Sequence, residues 1–102
     1  MLYTFETETP EELCEILARN TKRRRLEQNL SRKALSEYSG VPIPTIAKWE
    51  QQHAISLHAY VAIAKALGYA EEVKKMLSEP RYSTMEELEE INRNKNRQRG
   101  SK

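Results

Sequence analysis

The residues of this chain that could do chemistry are cations and hydroxyls rather than the sets that make and break bonds. Aspartate is absent. No nucleophile, base and orienting group come together in the sequence, and no glycine-rich loop could cradle a phosphate, so an enzyme is not expected. His53 and His58 are five apart with no cysteine or carboxylate cluster nearby, and Cys14 stands alone among Glu12, Leu13, Glu15 and Ile16. Neither a metal site, nor a disulfide, nor a bound cofactor is expected from that set. What remains is charge and its placement. Lysine and arginine total 17 against 15 acids, a net charge of only +2, yet the distribution is lopsided. Lys22, Arg23, Arg24, Arg25, Arg32 and Lys33 form one basic stretch, and Arg93, Lys95, Arg97, Arg99 and Lys102 form another that holds no acid. Acids gather instead at Glu11, Glu12 and Glu15 and at Glu86, Glu87, Glu89 and Glu90. One face can therefore be positive on a nearly neutral molecule, a footprint that suits a polyanionic partner.

A scaffold must hold those cations, and 102 residues suffice for one domain, since two smaller cores would each be marginal. Three glycines and no long β-branched run predict an all-α fold. Residues 1–8 read as an extended arm, with Tyr3 and Phe5 alternating against Thr4 and Glu6 as in a strand that pairs with another chain. Thr9, Pro10 and Glu12 form a helix start with a capping box. The first helix is expected over about 10–28, with Leu13, Ile16, Leu17 and Leu26 as its core stripe and Asn29 at its end. Ser31 caps and Gly40 terminates a second helix of barely two turns. After the Val41-Pro42 turn, a third helix over about 43–51 carries Pro44 in its first turn and aims Ile46 and Trp49 at the core. Ser56 caps a fourth helix with Leu57, Val61, Ala64 and Leu67 on one face, Ile63 flanking them and Gly68 at its end. A fifth helix over about 70–78, through Val73, Met76 and Leu77, completes a domain expected at residues 9–79. In residues 80–102, Thr84 to Glu87 repeats the capping pattern before a short helix of about 85–92, and a disordered basic tail follows. No apolar stretch approaches the roughly 18 to 20 residues that span a bilayer, and no signal peptide opens the chain, so a cytoplasmic protein without membrane contact is expected.

Two short helices joined by a glycine-led turn, the second with exposed leading residues and apolar later ones, are the sequence form of a helix-turn-helix. The first helix of such a pair turns its N-terminal amides toward phosphate, and Ser31 with Arg32 and Lys33 meets that demand. Ala34 and Leu35 face inward, and Val41 plugs the angle between the helices.

Leu30-Ser31-Arg32-Lys33-Ala34-Leu35-Ser36, Gly40-Val41, Thr45-Ile46-Ala47-Lys48-Trp49-Glu50, and Ser56-Leu57 through Ala66-Leu67-Gly68 together resemble the Xre, lambda-repressor-like family over about residues 10–68. The resemblance implies a compact five-helix DNA-binding domain that binds operator DNA as a homodimer. By position, it places Ile43, Pro44, Thr45 and Lys48 against base edges in the major groove, with Lys48 suited to guanine and Thr45 offering a hydroxyl or a methyl group. Ile43 and Pro44 offer only apolar surface, suited to thymine methyls, where relatives often place polar side chains. Arg32 falls near phosphate and an edge base. Arg25 and Glu50 are implied to form a largely buried structural ion pair. Ser31, Arg24, Gln51 and His53 are the phosphate candidates, with Arg23 and Ser56 beside them. Relatives usually have glycine where this chain has Gln52, so Gln52 is expected to take the strained helix-ending conformation at a cost of about 1 kcal/mol. Trp49 and Tyr60 read as packing residues.

After the fourth helix, Ala66-Leu67-Gly68-Tyr69, Glu71 through Leu77, Glu79-Pro80 and Met85 through Leu88, with the basic tail and the leading Thr-Pro-Glu-Glu-Leu, are similar to HipB-type antitoxins. That similarity implies a HipA-type kinase toxin as partner. The alternative is a free-standing phage or mobile-element repressor that has no toxin to neutralise.

Overall fold

The computed structural model describes residues 7–100. The arm expected at residues 1–8, with Tyr3 and Phe5, falls almost wholly outside them. Six helices follow one another: α1 (Pro10–Glu27), α2 (Arg32–Ser39), α3 (Ile43–Gln52), α4 (Leu57–Ala66), α5 (Ala70–Lys75) and α6 (Met85–Asn94). No strand occurs among the described residues. Thr7–Lys74 form one compact unit, and the described residues from Lys75 onward belong to another.

Within the larger unit, local chemistry sets each boundary. Thr9 Oγ1 accepts from the Glu12 amide and the Glu12 carboxylate accepts from the Thr9 amide, both at 3.1 Å, so α1 opens with a complete capping box. Asn29, at φ 57°, closes α1: its amide donates to Leu26 and the Leu30 amide to Arg25, the paired bonds of a Schellman turn. Ser31 caps α2 through the Ala34 amide at 3.0 Å. Gly40 ends it at φ +75° with open space where a Cβ would stand, so the left-handed backbone, not crowding, asks for glycine there. The end of α3 corrects the reading of Gln52, which stays helical. His53 takes the left-handed conformation instead (φ 63°, ψ 31°), and its amide donates to the Trp49 carbonyl. Bonding thus continues one residue further than expected, and histidine is among the side chains enriched in that region. Ser56 caps α4, and Gly68 closes it with amide bonds from Gly68 to Lys65 and from Tyr69 to Ala64.

The core gathers Ala18, Leu35, Val41, Ile46, Trp49, Ile63 and Leu67. It differs from the expected stripe on α1, where Leu13, Leu17 and Leu26 are exposed and Ala18, Thr21 and Arg25 point inward. Positions 18, 21 and 25 lie on one helical line, and small or hydrogen-bonded side chains on that line let α3 pack against α1. On α4 Ile63 is fully buried, whereas Leu57, at the first turn, is 77% exposed.

Trp49 brings a polar atom into this core. Its indole N–H donates to Thr21 Oγ1 at 3.1 Å, and the Thr21 hydroxyl donates to the Leu17 carbonyl at 2.7 Å. Every polar group in that line is therefore satisfied. Tyr60 meets the indole edge-on, ring centres 5.5 Å apart, and the Gln28 side-chain amide donates to the Leu67 carbonyl, joining the ends of α1 and α4.

The fifth helix is shorter than expected. It stops at Lys75, and Leu77, 95% exposed, turns to φ 59°. Pro80 disfavours helical backbone at Glu79, so little is gained by continuing. In the second unit Thr84 Oγ1 accepts from the Glu87 amide, but the Glu87 carboxylate bonds Ser83 rather than closing a box on Thr84. α6 runs two residues past the expected 92, to Asn94.

Thr21→Val is expected to strand the Trp49 indole donor at nearly constant volume and to cost about 1 to 3 kcal/mol, measured by urea unfolding. An unchanged midpoint would show that the hydroxyl is dispensable.

Candidate nucleic-acid interface

At the far end of α3 from its leading residues lies Glu50, whose side chain is 0% exposed. Arg25 of α1 grips both of its oxygens, Nε to Oε2 at 2.7 Å and Nη2 to Oε1 at 2.9 Å. The third arm of the same guanidinium, Nη1, donates to the Leu30 carbonyl at 2.8 Å. Arg32, the first residue of α2, adds a bond from Nε to Glu50 Oε1 at 3.1 Å. One carboxylate thus joins α1, α2 and α3. Burial pushes the Glu50 carboxyl up, but hydrogen bonds from Arg25 and Arg32 and the charges of both arginines outweigh it, leaving the group below its ordinary value of 4.5.

This anchoring gives α3 two distinct sides. Ile46 and Trp49 are buried, while Pro44, Lys48 and Gln51, spaced four and three apart, line the opposite, exposed side. Ile43 is 42% exposed at the helix start and Thr45 is half-buried beside it. Ten residues make a rod of about 15 Å, and the major groove, about 12 Å wide, admits a helix of this kind. The exposed side offers one ammonium at Lys48, a hydroxyl at Thr45 and apolar surface at Ile43 and Pro44.

The remaining sequence candidates are spread around that helix. The Ser31 oxygen is occupied by the Ala34 amide, but its O–H can still donate to a phosphate. Arg24 does not join the Glu50 cluster; its Nε, itself shielded from solvent, lies 2.8 Å from Glu27 on its own helix, while the side chain as a whole stays exposed and leaves its terminal nitrogens for a phosphate. Gln51 is exposed on the last turn of α3, and His53 is half-buried at its C-cap. The sequence did not disclose the bond from Arg32 to Glu50 or the role of Thr21. The one available signal for Thr21 was its spacing, four residues before Arg25 on the same face.

A family model described as helix-turn-helix matches residues 22–74, over half of the chain. The chain belongs to this Xre, lambda-repressor-like helix-turn-helix family and is a DNA-binding transcription regulator. No curated protein matched it. Among the described residues no helix is long and apolar enough to cross a membrane, and no group of three metal-ligating side chains occurs.

Glu50→Ala is expected to leave Arg25 buried without its carboxylate, costing about 3 to 5 kcal/mol at neutral pH. The wild type should also lose stability in acid. Above about pH 4.5 Glu50 is charged whether the chain is folded or not, and its stabilisation is complete. Below that value the unfolded chain takes up a proton that the folded chain resists, so stability falls until pH passes below the folded pKa. Glu50→Gln should flatten this decline; thermal unfolding of both proteins between about pH 5 and pH 3 checks it, and parallel curves would remove Glu50 from the account.

Proposed function

We propose that this chain is a transcriptional repressor that binds a pseudo-palindromic operator as a homodimer, with α3 in the major groove of each half-site. The carrying observation is the division of α3 into a side fixed by Glu50, Ile46 and Trp49 and a side where Pro44, Lys48 and Gln51 stand free. Ile43, Pro44, Thr45 and Lys48 read base edges, and Ser31, Arg24, Gln51 and His53 hold phosphates. One such helix reads too few bases to be selective alone, which supports a two-fold arrangement with half-sites about 34 Å apart.

The part of the chain outside the compact unit supports a protein partner as well. The resemblance of the whole chain to HipB-type antitoxins, which begins within the compact unit, is joined there by Met76, Leu77 and Met85, all strongly exposed. A HipA-type kinase toxin is the partner that this reading names, and co-purification with a kinase encoded beside this gene distinguishes it from a free-standing repressor.

Selection of binding sites from random duplex DNA tests the main reading, and should enrich a symmetric motif with that spacing. Lys48→Ala should then lose about 1 to 3 kcal/mol at one base pair while binding random duplex as before. Equal loss on both duplexes would show that Lys48 reads no base.

A further inference from the structure

Glu50 has one negative charge and two arginines. Arg25 satisfies both carboxylate oxygens with a side chain only 7% exposed, and its remaining nitrogen is used on Leu30. It is wholly committed to the fold. Arg32 is different: it adds a single bond through Nε, its side chain stays 31% exposed, and its two terminal nitrogens have no partner among the described residues. The three charges sum to +1, so the cluster has a surplus of positive charge, and only Arg32 can present it to a ligand.

The position of the Arg32 bond matters as much as the charge. An Nε anchor fixes the plane of a guanidinium and leaves its end-on pair of nitrogens as a rigid fork. A phosphate contact requires no such restraint, and Lys33 stands exposed at the next position for that purpose. A fixed fork is useful where two acceptors are themselves fixed in one plane, as O6 and N7 of guanine are.

We propose that Glu50 is a positioning residue for Arg32, and that the aligned guanidinium reads one guanine beside the bases met by α3. This rests on the DNA-binding reading above and extends it from α3 to the first residue of α2. Glu50 therefore serves two ends: Arg25 uses it to hold the recognition helix, and Arg32 uses it as a brace.

Because Arg25 alone occupies both carboxylate oxygens, Arg32 variants should remain folded, which thermal unfolding verifies. In site selection Arg32→Ala should lose preference for one guanine per half-site, by about tenfold or more. Arg32→Lys keeps the charge but not the fork; it should retain the wild-type salt dependence and still lose that preference. In the free protein the Arg32 Nε–H resonance should be slow to exchange, and rotation of the terminal nitrogens should become hindered only on the selected duplex. Retained guanine preference in Arg32→Lys would overturn the proposal. So would an Arg32→Ala protein that binds all duplexes equally more weakly with a salt slope smaller by about one, since Arg32 would then be a phosphate contact. A rapidly exchanging Nε–H would remove the brace. If the wild type enriches a motif whose every position is indifferent to Arg32, this inference alone fails; if it enriches none, the DNA-binding reading fails with it.

Discussion

The structure depends on a carboxylate held out of water. An unpaired buried charge is too costly to keep, so Glu50 can sit at the base of α3 only if cations reach it with good geometry. Arg25 and Arg32 supply that geometry from two other helices. The demand spreads along the chain. Arg25 can reach inward because Ala18 and Thr21 keep its line of α1 close to α3, and it is steadied by the turn that follows α1. Residues 25 and 30 clasp each other there: the Leu30 amide donates to the Arg25 carbonyl, and the Arg25 side chain donates to the Leu30 carbonyl. The left-handed Asn29 makes this clasp possible.

The same anchoring separates structure from recognition on a helix of ten residues. Trp49 and Ile46 bury the inner side, and the indole finds its acceptor on Thr21 without opening the core to water. The outer side then carries residues that do little for the fold. Lys48, Pro44 and Gln51 can change without disturbing the core, which is how one scaffold can present different surfaces to different DNA sequences. Direction, by contrast, is fixed: a carboxylate that accepts from arginines of two neighbouring helices allows α3 little freedom to roll.

Much of this was legible in the residues. Thr9, Ser31, Ser56 and Thr84 announced their helices because capping is local chemistry, and Gly40 and Gly68 announced their ends for the same reason. Packing was harder to read. Leu13, Leu17 and Leu26 look like a core stripe, yet the side of α1 that meets α3 is chosen by the Arg25 to Glu50 contact, which turns Ala18 and Thr21 inward. On α4 it is Ile63 that enters the core, while Leu57 in the first turn lies exposed. Gln52 and His53 show the limit of positional analogy, since a left-handed residue can move by one when the helix before it gains a bond. The contact of Arg32 with Glu50 crosses 18 residues, and nothing local signals it.

Recognition by this fold depends on which side of α3 meets nucleic acid. Backbone amide shifts recorded while the selected duplex is added to the isotope-labelled chain test this directly. The largest changes should fall on residues 31–33 and 43–48, with smaller ones at 51–53, and Leu35 and Ile63 should scarcely move. Changes concentrated on the exposed leucines of α1 or on α6, with 43–48 silent, would contradict it.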